Sequence, residues 1–343
     1  MIHIAVLYNA EEKLHKGEAI DLIAEQETTR TAHLIGSSLR ELGYPVTMLP
    51  IREELSEVDA QLAPFSPDTT FVFNLCEALP GIPNSERRVA EIIRKKGFTY
   101  TGNVPEVIEL SYDKQKTKEL LISLGIRAPY GTLLAPDEAA SWTIFPAIVK
   151  PSREHCSLTL TEKSVVFDTG SLREQIRLVN RELDQPAMVE DFIDGREFHV
   201  SVWNNGPPEI LPLAEMDFSA FSKTSERLCT YESKFIPGSG HYEKIETLIP
   251  APLDDILYRK LENKALATWH GFGCLDYARF DFRLRDDKFY LLDINPNNDI
   301  SFDTSFALAA EAGNYSYGQM ARRIVMMAAE RHPVFGERIL AQQ

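Results

Sequence analysis

Near the C-terminal end, Arg279, Asp281, Asp293 and Asn295 fall at alternate positions of two strand-like runs, Tyr277 to Leu284 and Phe289 to Asn295. Side chains alternate across a strand, so Arg279 and Asp281 share one face while Ala278, Phe280 and Phe282 share the other; Asp293 and Asn295 likewise oppose Tyr290, Leu292 and Ile294. Only Arg285 to Lys288 separates the runs, so a hairpin would set two carboxylates, a carboxamide and a guanidinium side by side. That is the hard-oxygen set Mg²⁺ prefers when it also holds phosphates. The same residues also read as an ion-paired sheet face, which is common and contributes little.

The elements that must position this hairpin can be read from the rest of the chain. With 343 residues, 44% hydrophobic and 25% charged, it is long enough for two or three domains with cores of their own. His3 to Tyr8 reads as a buried first strand and not as a leader, and no apolar run approaches twenty residues, so a cytoplasmic location is expected. Cys76, Cys156, Cys229 and Cys274 are too scattered for a disulfide framework or a zinc motif, and most are expected to be buried thiols. A formal charge of −15 argues against nucleic acid or an acidic membrane as partner, so an anionic nucleotide would need local cations. In the first hundred residues strands (His3 to Tyr8, Val46 to Ile51, Thr70 to Leu75) alternate with helical periodicity (Thr28 to Leu42, Ser85 to Lys96), which predicts a small parallel α/β sheet. Tyr100 to Gly102 closes that unit and Pro105 reads as a linker. Asp113 to Leu124 reads as a helix and Pro146 to Pro151 as a strand, opening a second α/β segment to about Phe192. From Arg196 to Ala329 antiparallel strands dominate, ending in an apolar helix, Met320 to Ala329, whose methionines suit core filling.

Taken in order, Phe71-Val-Phe-Asn-Leu75, Tyr100-Thr-Gly102, Asp113-Lys-Gln-Lys-Thr-Lys118, Ile148-Val-Lys-Pro151, Val189 to Glu197, Ser233-Lys234, Gly273 to Asp281 and Leu291 to Asn295 resemble the ATP-grasp enzymes, most of all their D-alanine–D-alanine ligase branch. The resemblance covers Phe71 to Ile324 well and the first seventy residues weakly. It implies an ATP-grasp fold of the α/β (α+β) class. An N-terminal α/β domain (1–104) would precede two subdomains (105–195 and 196–343) that sandwich ATP, and an acyl phosphate would be attacked by an amine. Lys150 matches the lysine that reaches the ATP phosphates and Lys114 the one on the helix entering the cleft, although Lys114, Lys116 and Lys118 also read as one solvated helix face. Glu190 matches the residue near the adenine amino group, Glu197 the ribose-hydroxyl acceptor, and Lys234 the lysine of a mobile loop closing over the γ-phosphate. Asp281, Asp293 and Asn295 take the three metal-ligand positions for Mg²⁺, with Mn²⁺ as an alternative ion, and Arg279 takes the place of the arginine that neutralises the tetrahedral intermediate. Asp293 stands where the nearest relatives carry Glu, one methylene longer.

Three departures bear on the substrate. His155 and Thr159 stand at glycine positions of the phosphate loop, where small residues let backbone N–H groups approach phosphate. After Asn295, Pro296-Asn-Asn-Asp-Ile-Ser301 replaces a Pro-Gly-Met turn that faces the second substrate. The N-terminal substrate motif survives only as Glu25 to Thr29, and Cys76-Glu77 replaces a histidine. Glu27 and Glu77 read either as binders of a substrate ammonium or as solvent-facing. Asp299 and Thr304, with Ser301 and Ser305 behind them, are expected to border the second-substrate pocket. The expectation is therefore an ATP-dependent carboxylate–amine ligase acting on small molecules, amino acids or related acids, other than a D-alanine pair. A true D-alanine–D-alanine ligase and an ATP-binding protein that has lost catalysis stay open beside it, as does a homodimer.

Overall fold

The structure, a computed structural model, describes residues 2–10, 21–77, 79, 82, 85–152, 160–204, 206–230, 232–233, 236 and 238–336. Lys234 and the whole of 153–159, with His155, Cys156 and Thr159, lie outside them. Among the described residues thirteen strands form three sheets. The first is parallel, in the order β2 (Val46–Ile51), β1 (His3–Asn9), β3 (Thr70–Leu75). β1 and β3 are almost wholly buried because helices cover both faces, as a parallel sheet requires, whereas the edge strand β2 is mostly half-buried. Tyr100 adds a single parallel bridge to Val72 at its edge.

The second sheet runs β4 (Gly131–Leu134), β7 (Ala187–Asp191), β5 (Ala147–Pro151), β6 (Val165–Val166), and every pairing is antiparallel. Helix Thr169–Leu183 lies on it, capped by the Asp168 carboxylate and burying Leu172, Ile176 and Val179 at the i, i+4, i+7 spacing of one helix face. The third sheet has β11 (Glu246–Leu248), β10 (Ala214–Asp217), β8 (Arg196–Asn204), β12 (Tyr277–Arg285) and β13 (Lys288–Asn295) in that order, with β9 (Pro208–Ile210) beside β8. Helix Asp255–Phe272 covers its apolar face with Leu261, Ala265, Trp269 and Phe272 against Phe198, Phe280 and Phe282. A further core joins the first sheet to helix Tyr317–Ala329, where Met320 and Met327 are buried filler.

Two readings need correcting. Pro105 is not a linker residue but the first of a helix, Pro105–Tyr112, where its missing N–H costs nothing because that N–H would be unpaired anyway. The alternation in β13 also reverses part-way: Phe289, Leu291 and Ile294 are buried in the core, whereas Tyr290 and Leu292 are only half-buried. A bulge causes this, since Asp281 pairs with Asp293 but Phe282 with Leu291, leaving Leu292 as the extra residue. The hairpin itself closes through Asp286 and Asp287, both with positive φ (52° and 55°), the geometry a two-residue primed turn needs. Among the described residues no helix is long and apolar enough to cross a membrane.

Candidate functional site

A cleft opens between the second and third sheets, with Ile148, Lys150 and Glu190 on one wall and Glu197, Arg279, Asp281, Asp293 and Asn295 on the other. The strand pairing builds the second wall, because Arg279 lies opposite Asn295 and Asp281 opposite Asp293 across β12 and β13. The guanidinium of Arg279 donates twice to Asp281, at 2.7 Å and 2.9 Å, and Asn295 Nδ2 donates to the same carboxylate at 3.0 Å. Burial alone would lower the Arg279 pKa, but the adjoining Asp281 outweighs it and holds the guanidinium firmly charged. Two carboxylates and a carboxamide oxygen on one face are donors of the kind Mg²⁺ takes, so the residues present fit that ion.

On the other wall Glu190 sits between two lysines, Lys118 at 2.7 Å and Lys150 at 3.0 Å. Burial would raise its pKa, yet the two cations pull it down to about 2. Lys150 is likewise held above its ordinary value by Glu190 and by Asp293 of the facing sheet, against the pull of burial. Glu197 accepts from Arg283 at 2.8 Å and lies 3.4 Å from His199 Nε2; again burial loses to the neighbouring cation, and the carboxyl is held at about 2.

Lys114 opens helix Lys114–Ser123 behind the Asp113 cap and does not line this cleft. Lys118, one turn on, reaches Glu190 instead and also donates to the Pro129 carbonyl at 2.6 Å. One member of the lysine face is therefore drawn into an ion pair with a buried carboxylate, and only the fold of the second sheet against this helix could reveal it. His199 is the second residue the sequence does not single out. Buried on β8 opposite Asp281, it bonds Ser305 Oγ at 3.0 Å. Its place at i+2 from Glu197, on the same strand face, is the signal that could have found it. Glu197, His199 and Cys229 bring oxygen, nitrogen and sulfur atoms within 4.8 Å of one another, although Arg283 already engages Glu197.

A smaller second cleft lies beside the first, where β3 ends and the chain leaves β13. Glu77 and Asp299 line it, as do Glu86 and Asn298. Glu77 is exposed, and Asp299 accepts from Ser301 N and Oγ at 2.8 Å and 2.6 Å. Glu27 is half-buried outside the lining, 3.5 Å from Arg30, and its pKa is raised by burial and by Asp303 and Asp299. Thr304 does not line the cleft either: its hydroxyl donates to the carbonyls of Ser301 and Asp299 and fixes the start of helix Ser305–Ala312.

Residues 133–326 match the family model of the D-ala D-ala ligase C-terminus. An uncharacterized protein of Sinorhizobium fredii is 28% identical over 91% of this chain and 90% of its own length. A D-alanine–D-alanine ligase of Syntrophotalea carbinolica is 28% identical over 90% of this chain and 94% of its own. Among solved structures, the D-alanine–D-alanine ligase of Bacillus anthracis complexed with ATP superposes with a TM-score of 0.72 at 18% identity, covering 98% of this chain and 100% of that one. With the family model spanning more than half of the chain, the protein belongs to the D-ala D-ala ligase C-terminus family and is an ATP-grasp protein of the D-alanine–D-alanine ligase type.

Proposed function

We propose that this chain is an ATP-dependent ligase that joins a small carboxylic acid to an amine through an acyl phosphate, and that its pair of substrates is not two D-alanines. The observation that carries the first part is the single cleft in which Lys150 and Glu190 of one sheet face Arg279, Asp281, Asp293 and Asn295 of the other. In this reading an oxygen of the acid attacks the γ-phosphorus of ATP and ADP leaves. The amine nitrogen then attacks the acyl carbon, phosphate leaves, and the nitrogen gives up a proton. Lys150 holds phosphate oxygens with a point charge kept protonated by Glu190. Arg279, fixed by Asp281, is a preorganised cation for the oxyanion that develops at the acyl carbon. Asp281, Asp293 and Asn295 would hold Mg²⁺, which supplies neutralising charge for the phosphates.

The second part rests on the turn after β13. Asn297 accepts from Asn103 N at 2.8 Å and donates to Glu86 at 2.9 Å, so side chains and not a glycine amide organise that turn. The Asn297 oxygen also packs so close to Gly102, whose φ is +94°, that an added Cβ would lie 2.4 Å from it. Coupled release of ADP from purified protein, Mg²⁺ and ATP over a matrix of acids and amines tests both parts. D-alanine alone is expected to give little ADP, another pair much more, and Asp293→Ala none with any pair while its far-ultraviolet circular dichroism is retained. Formation of D-alanyl-D-alanine at rates of order 1 to 10³ per second would overturn the substrate reading. Turnover by Asp293→Ala would overturn the metal assignment.

A further inference from the structure

Two acidic side chains of the second cleft, Glu86 and Asp299, have no cation among their described hydrogen-bond partners. Among the described residues Glu86 receives only neutral donors, Tyr112 Oη at 2.9 Å and Asn297 Nδ2 at 2.9 Å, and burial raises its pKa. The Asp299 carboxylate accepts, among the described residues, only from Ser301. Among the described residues that line the cleft, Glu77, Glu86 and Asp299 are acidic and none is lysine or arginine. Carboxylates in such a place cost desolvation energy that a countercharge would offset.

An independent observation points the same way. Asn298, only 6% exposed, lines the cleft and donates its Nδ2 to the Asp299 carbonyl at 2.9 Å, whereas its Oδ1 is buried with no partner. A buried carbonyl oxygen left unpaired is costly, and what it lacks is a donor. Carboxylates and an orphan acceptor together call for a group that is both cationic and rich in N–H, which describes an organic ammonium.

The position of the cleft says what such a group would belong to. Tyr277 lines the second cleft and Arg279 the first, two residues or roughly 7 Å further along β12. Asn295 and Asn297 stand in the same relation where the chain leaves β13. We propose that the second cleft, through Glu86, Asp299 and the Asn298 oxygen, binds one protonated amino group of a substrate bearing two amines, whose other, neutral amine is the nucleophile beside Arg279. This substrate class rests on the ligase reading above. It also accounts for the altered turn, because Asn297, Asn298 and Asp299 all come from the segment that replaces Pro-Gly-Met.

Isothermal calorimetry of the full chain without nucleotide, titrated with 1,5-diaminopentane and separately with n-pentylamine, tests the cleft apart from turnover. The diamine is expected to bind at least about tenfold more tightly than the monoamine, and Glu86→Gln and Asp299→Asn each to weaken it by about tenfold, the effect of one lost charge pair. ATP affinity, measured in the same variants, reports that they are folded. Should either carboxamide variant lose that affinity, Asn298→Leu, which removes only the orphan acceptor, takes its place with the same expectation. Equal affinity for diamine and monoamine, diamine binding unchanged in the folded variants, or displacement of the diamine by MgCl₂ at equal concentration would each overturn the proposal. ADP release with some acid and a monoamine, but no diamine binding, would leave the ligase reading standing alone. Diamine binding without ADP release from any pair would do the reverse.

Discussion

Lys150 shows how far a single residue can be read. Its flanking Ala-Ile-Val strand and following proline mark it in the sequence, and the structure gives it Glu190 on its own sheet and Asp293 across the cleft. A charge-assisted phosphate contact contributes about 1.5 to 3 kcal/mol, so Lys150→Ala is expected to weaken ATP roughly ten- to a hundredfold in calorimetry. Unchanged affinity would reduce Lys150 to a structural partner of Glu190. Glu190 permits a test by pH. Its folded pKa, about 2, lies below the ordinary 4.5, so the stability it contributes is fully present above 4.5 and drains away as pH falls toward 2. Glu190→Gln should therefore destabilise the chain by about 3 kcal/mol near pH 6, having stranded two lysines. The gap to wild type should narrow by about 2 kcal/mol near pH 3 in denaturant unfolding, at about 1.4 kcal/mol per unit. A gap that is constant with pH would mean that the ion pairs are not what the substitution removes. Arg279, Asp281, Asp293 and Asn295 were legible because a strand period of two is a strong local rule. Lys118 and His199 were not, since their importance comes from what a distant segment lays against them.

At the scale of elements, the hairpin was legible in place and length but not in its irregularity. The bulge at Leu292 leaves no trace in a pattern of alternating apolar residues, and it reverses which of Phe289 to Leu292 face the core. Helix Lys114–Ser123 and strand Ala147–Pro151 fall within a residue of where periodicity and proline place them, whereas the direction of strands in the second sheet depends on crossovers that composition does not encode. Gly195, in the short link between β7 and β8, shows what holds two sheets in register. A Cβ there would lie 2.1 Å from the Leu284 carbonyl oxygen of β12, and a strand backbone inside a sheet cannot yield as a side-chain tip can. The link must stay this close, because Arg283 on β12 donates to the Ile193 carbonyl at 2.8 Å and to Glu197. Gly195→Ala is expected to cost about 1 to 3 kcal/mol, the range for overpacking, by denaturant titration. Its ATP affinity should fall with it, since Glu190 and Glu197 flank the link. Wild-type stability would show that the link can move away from β12 freely.

Across the whole molecule, the clefts depend on a joint that no local pattern announces. Asp276, fully buried with φ at +51°, lies just before β12 and accepts from the backbone N–H of Gly102 at 2.8 Å. Arg331, just beyond helix Tyr317–Ala329, donates to both oxygens of Asp276 and to the Tyr100 carbonyl. One carboxylate thus ties the edge of the first sheet, the strand that carries Arg279, and the segment that follows helix Tyr317–Ala329. Asn103 strengthens the joint by donating to Tyr277 O at 2.9 Å and accepting from Leu275 N at 2.6 Å. Burial raises the Asp276 pKa, and the Arg331 guanidinium only partly counters it, so the carboxylate relies on that partner for its charge. Arg331→Ala would leave a charge buried and uncompensated, with an expected loss of about 3 to 5 kcal/mol. Arg331→Lys can pair with Asp276 but cannot reproduce the fork that also reaches Tyr100, and should lose less. Because Tyr277 borders the second cleft and Gly102 packs against Asn297 of its lining, while Lys150 and Glu190 line the first cleft, diamine affinity should fall in Arg331→Ala by more than ATP affinity does. Equal loss of both ligands, scaled to the loss of stability, would mean that Arg331 supports the fold as a whole and not the meeting of the first sheet with β12.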